Sequence, residues 1–193
     1  MDEYLLTLMR APQSVFSHTD LALLWRKTAP SFLNKKIHRY LKAGALFPLR
    51  KGIYAKAQTF DPFELATKIF TPSYVGFETV LIRAGVVFQF YRQLFCASYL
   101  TREIIIHNQA YTYKKIKDAI LTNAAGIETT SLYAIASVER AFLDTLYLYQ
   151  DYHFDNLKPL CWEKVFEILP LYHNKRLEKS VNRIHKDFLR ENT

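Results

Sequence analysis

Apolar positions recur at helical spacing in three short stretches at the start of the chain. Leu5, Leu8 and Met9 share one side of a stretch from Asp2 to Arg10, and its opening acids suit the positive end of a helix dipole. Ala11-Pro12-Gln13 interrupts it, and Val15-Phe16 predicts a short extended segment. Ser17-His18-Thr19-Asp20 has the S-x-x-D form of a helix start. The helix that follows runs to about Arg26 and offers Leu21, Leu24 and Trp25 for packing. Lys27 to Pro30 reads as a turn. A third helix is predicted from near Ser31 to Gly44, a suitable cap. Its Leu33, Ile37, Tyr40 and Leu41 form one apolar stripe. Ser31, Lys35, His38, Arg39 and Lys42 form the opposite stripe, with Asn34 beside it. Two short apolar runs, Ala45–Leu49 and Ile53–Ala55, then flank Arg50-Lys51-Gly52, which predicts a β-hairpin with a basic tip.

Residues 57–62 read as a linker between a unit at 1–57 and a second at 58–193. Asp61-Pro62 can open a helix reaching Phe70, with Phe63, Ala66, Ile69 and Phe70 inward. A further helix is expected from about Gly76 to Ala84. Strand-like runs follow at Phe95–Leu100, Glu103–His107 and Tyr111–Ile116, with Asn108-Gln109-Ala110 as the last turn. Ser137 begins a long helix, Val138 to Tyr149, with Ala141, Phe142, Thr145, Leu146 and Tyr149 to one side. Two helices near Leu160–Leu169 and Asn174–Arg190 close the chain. The expected fold class is α+β: an N-terminal winged helix-turn-helix, then a mixed domain of helices and a small antiparallel sheet.

Charge sharpens the reading of the first unit. Of the 193 residues, 26 are basic and 18 acidic, a net +8. Residues 1–57 hold ten basic side chains against three acidic ones, so nearly all of the excess lies there. Such a field suits a phosphate backbone, because binding releases condensed counterions. A helix packed on one face and basic on the other suits the major groove. Ser31, Asn34, Lys35, His38, Arg39 and Lys42 are therefore the expected groove residues. Arg50 and Lys51, on the hairpin, are expected to meet phosphate or the minor groove.

Catalytic chemistry is hard to find. No phosphate-cradling glycine motif is present among only five glycines. Cys96 and Cys161 lack metal-ligand spacing and read as two buried thiols. His153, between Asp151 and Asp155, reads as part of a hydrated loop. Glu139, Arg140 and Asp144 could suggest nuclease carboxylates, but Arg140 and Asp144 are four apart and read as a structural ion pair. No enzyme activity, cofactor or metal is expected. A nuclease targeted by the first unit and a protein-binding winged helix are the alternatives. Apolar runs fall short of a membrane span and no secretory start is present, so a cytoplasmic protein is expected.

Three stretches carry a resemblance: Val15–Ala22, Leu49–Ala55 with Asp61–Ala66, and Tyr133–Leu148, the last containing Glu139-Arg140-Ala141-Phe142-Leu143-Asp144. Together with Pro72-Ser73-Tyr74-Val75, they resemble the AbiEi family, antitoxins of type IV toxin–antitoxin (abortive infection) systems that also act as transcriptional repressors. The resemblance spans roughly residues 12–155. Val138 departs from the family's usual proline. The resemblance implies a winged helix that binds repeats in double-stranded promoter DNA. It also implies a second domain that counters a nucleotidyltransferase toxin without forming a stable complex with it.

Overall fold

The computed structural model describes residues 2–191. The fold is α+β. Helices α1 (Glu3–Arg10), α2 (His18–Leu24) and α3 (Pro30–Lys42) pack with a three-stranded sheet of β1 (Val15–Ser17), β2 (Phe47–Arg50) and β3 (Ile53–Ala55). The capping box foreseen at Ser17 and Asp20 is formed in full. Pro30 at the first turn opens α3, where its missing N–H costs nothing. Gly44 closes the helix at φ +67°, a conformation that glycine adopts without steric penalty. Strand β3 lies between β1 and β2, and both pairings are antiparallel. Leu8, Phe16, Leu21, Trp25, Leu33 and Ile37 belong to the core of this unit. Met9, expected inward, is exposed, because Leu8 with Tyr4 and Leu5 supplies the packed side of α1.

The rest of the chain comprises α4 (Pro62–Ile69), β4 (Ser73–Val75), α5 (Phe77–Arg83), β5 (Leu94–Ser98), β6 (Arg102–Ile106), β7 (Gln109–Lys115), α6 (Asp118–Leu121), β8 (Ile127–Thr129), β9 (Ala134–Ala136), α7 (Val138–Leu148), α8 (Trp162–Ile168) and α9 (Lys175–Glu191). A 3-10 turn, Leu169–Tyr172, joins the last two. The sheet is not the small antiparallel one expected. It has six strands in the order β6-β7-β5-β4-β9-β8, with β5 parallel to β7 and β4 parallel to β9. The turn between β6 and β7 is also tighter than Asn108–Ala110. His107 and Asn108, at φ +49° and +63°, make a two-residue connection whose twist matches the strands.

The six-stranded sheet is covered on both sides. Tyr74, Phe95 and Ala97 face a core shared with α5, α7, α8 and α9. Val75, Cys96, Tyr111 and Tyr113 face α4, and there they meet Val15 and Ile53 of the smaller sheet. Alternation along each strand sends successive residues to opposite faces. Two further expectations about burial fail. Tyr149 is 44% exposed, because α7 has ended at Leu148 and the chain turns extended. Cys161 is exposed at the N-cap of α8, whereas Cys96, on a central strand, is buried as expected.

Candidate nucleic-acid interface

Helix α3 packs through Leu33, Ile37 and Tyr40, all nearly inaccessible. Ser31, Asn34, Lys35, His38, Arg39 and Lys42 are exposed, and no acid lies among them. Six of the eight predicted residues thus share one surface of one helix. Lys35, His38 and Lys42 make no ion pair among the described residues. Asn34 Oδ1 lies 3.1 Å from His18 Nε2, at the start of α2. The remaining two, Arg50 and Lys51, are exposed at the end of β2 and in the β2–β3 turn. That turn is anchored: the His18 N–H donates to the Gly52 carbonyl at 3.0 Å.

Arg39 is not free. Its guanidinium pairs with Asp2, the N-cap of α1, and lies over the Tyr40 ring. Lys36 pairs with the same carboxylate at 2.7 Å and sits 4.5 Å from the centre of the Tyr4 ring. The Tyr40 hydroxyl donates to it at 2.9 Å. Asp2 therefore holds two cations of α3, a role that sequence spacing could not reveal across 37 residues. Arg50 is engaged too. Its guanidinium lies 5.5 Å from the centre of the Phe70 ring, so the hairpin rests against residues beyond α4.

Polar groups also cross between the smaller and larger sheets. The Ser14 N–H and hydroxyl donate to Glu64 Oε2 at 2.8 and 2.7 Å, and the Asp61 N–H donates to the Ser14 hydroxyl at 2.9 Å. Lys68 pairs with Asp20 at 2.8 Å. Burial alone would raise the Asp20 pKa, but Lys68 and the Ser17 donors outweigh it and hold the carboxyl below its ordinary value.

Two charged pairs of the larger unit are enclosed. Arg140 and Asp144 are fully buried and pair at 3.2 Å. Asp144 also accepts from the Tyr74 and Tyr172 hydroxyls, each at 2.7 Å. Arg140 donates to the carbonyls of Ile120 and Ala125. The spacing of four made this pair legible, but neither tyrosine was. A second buried pair, Lys114 with Glu78 at 2.7 Å, was missed because its partners are 36 residues apart. Burial, only partly offset by Glu78, pulls the Lys114 amine below its ordinary value. Groups so enclosed brace the fold. His153 is 87% exposed beside Asp155. Among the described residues, no group of three or more His, Cys, Asp or Glu side chains could hold a metal ion. No helix among them is long and apolar enough to cross a membrane.

No protein-family model and no curated protein matches the chain.

Proposed function

We propose that residues 1–57 form a winged helix-turn-helix that binds duplex DNA, with α3 in the major groove and the β2–β3 hairpin on the backbone. The observation that carries this reading is the outer face of α3. Its exposed side chains are polar or cationic throughout, and Lys35, His38 and Lys42 have no acidic partner among the described residues. A helix diameter of about 10–12 Å fits a major groove about 12 Å wide. Ser31, Asn34, Lys35, His38 and Lys42 contact base edges or nearby phosphates, and Lys51 contacts phosphate. Arg39 joins them once it leaves Asp2.

The larger unit is proposed to carry the antitoxin role that the AbiEi resemblance implies, in a repressor of its own operon and opposite a nucleotidyltransferase toxin. The residues bearing that resemblance support this by meeting in space. Tyr74, from the P-S-Y run, bonds to Arg140 and Asp144, from the E-R-A-x-L-D run. Phe63 and Tyr133, from two other runs, stack edge to face at 5.5 Å.

The test compares DNA from upstream of the protein's own gene with random duplex, by fluorescence anisotropy over a range of salt. Lys35→Ala with Lys42→Ala is expected to weaken both and to flatten the plot of log K against log salt by about 1.8 units, from about 0.9 per phosphate contact. His38→Ala is expected to weaken the upstream DNA more than the random duplex. An unchanged slope in the double variant, with an unchanged melting temperature, would exclude α3 as the interface.

A further inference from the structure

Helix α9 carries a charge pattern that its packing does not require. Leu177 and Val181 are buried, and Ile184 packs against the same core. The His185 and Phe188 rings lie 4.5 and 5.6 Å from the Trp162 ring. At 100° per residue these side chains define one side of the helix. Arg176, Lys179, Arg183, Lys186 and Arg190 occupy the opposite side, and all five are exposed.

Their steps alternate between three and four residues, so they form one straight row. With a rise of 1.5 Å per residue the row is about 21 Å long. Like charges three and four apart oppose helix formation, and four such pairs follow one another here. Relief from acids is slight. Glu178 lies off the row, and Asp187, at its edge, pairs with Arg190 at 3.7 Å. Arg176, Lys179, Arg183 and Lys186 make no ion pair among the described residues. A rigid, regularly spaced line of cations complements a stiff, regularly spaced series of anions. Each phosphate strand of a duplex is such a series, wound about a stiff axis, and neutralising it releases counterions.

The position of α9 adds the second part of the argument. It packs with α7 and α8 on one side of the six-stranded sheet, whereas α4, Val15 and Ile53 pack on the other. The α9 row and the DNA-binding unit proposed above therefore stand on opposite sides of that sheet.

We propose that α9 is a second, sequence-independent seat for duplex DNA, so that one chain holds two duplex segments. This rests on the reading that α3 binds the first. Short duplexes are titrated into the full chain, and the number bound per chain is measured by analytical ultracentrifugation. Wild type is expected to bind two and Lys179→Gln/Arg183→Gln/Lys186→Gln one, with the melting temperature not lowered, because all three side chains are exposed and their loss relieves the like-charge pairs. In a Lys35→Ala/His38→Ala/Lys42→Ala background, residual binding is expected to ignore sequence. The α9 substitutions should then remove it. Two duplexes per chain in the α9 variant, or a single duplex in wild type that the α9 substitutions leave in place, overturns the inference. So does residual binding that single-stranded RNA or polyglutamate displaces more readily than duplex DNA. If the α3 substitutions change nothing while the α9 substitutions abolish all binding, α9 stands as a seat and the α3 reading falls.

Discussion

Asp2 is the residue on which the charge of α3 turns. Its carboxylate caps α1 through the Tyr4 N–H and at the same time pairs with Lys36 and Arg39. A phosphate approaching α3 competes with it for both cations. Asp2→Asn keeps an oxygen for the cap and discards the charge. We expect this variant to bind duplex DNA more tightly, with a salt dependence steeper by about 0.9 units, the change for one further phosphate contact. Anisotropy titrations at several salt concentrations will measure it, and an unaltered slope would show that Lys36 and Arg39 stay clear of the DNA. Arg140 shows a different limit at this scale. Its partner Asp144 is one helical turn away and could be read from the sequence. Tyr74 and Tyr172, which complete the network, arrive from strands and turns far off in the chain.

Among elements, the β2–β3 hairpin separates two kinds of basic residue. Lys51 stands in the turn, while Arg50 lies over Phe70. Lys51→Ala should lower the salt slope and leave the melting temperature alone. Arg50→Ala should also lower the melting temperature, since an exposed cation–π contact stabilises by about 0.5–1 kcal/mol. Equal melting temperatures for the two variants would mean that Phe70 does not hold the hairpin. Most of the helices were legible because they run about two turns or more, long enough for a period to declare itself, whereas the four-residue α6 was not foreseen. Strands β4, β8 and β9, three residues each, show no period. The parallel register of Val75 with Ile135 is set by packing across 60 residues of chain, which no local pattern encodes. For the same reason a two-sided mixed sheet was expected as a small antiparallel one. The outer face of α3 was legible as a face, but the acid that occupies part of it was not.

At the scale of the molecule, the smaller and larger sheets share a core. Val15 and Ile53 pack with Phe63, Leu65 and Val75, and Glu64 and Lys68 bond across to Ser14 and Asp20. We therefore expect one calorimetric transition, with calorimetric and van't Hoff enthalpies equal; two resolved transitions would show that the units fold independently. The pH dependence of that transition has a definite sign at its alkaline end. Burial raises the pKa values of Tyr74, Tyr111, Tyr113 and Tyr172 above the ordinary 10.0. The fold thus favours their protonated forms. Their contribution is fully present below pH 10 and declines above it, as the unfolded chain ionises first. The melting temperature should fall through that range, and tyrosinate absorbance should rise together with unfolding.

The shared core has a consequence for copies of the protein seated side by side. With no slack between the unit proposed to grip DNA and the body behind it, each copy seated on DNA would take its heading from the groove. B-form DNA completes a turn in 10–10.5 base pairs. The count of base pairs between two sites then sets the dihedral angle between neighbouring bodies. Whole turns bring them onto the same side of the duplex, and half turns put them back to back.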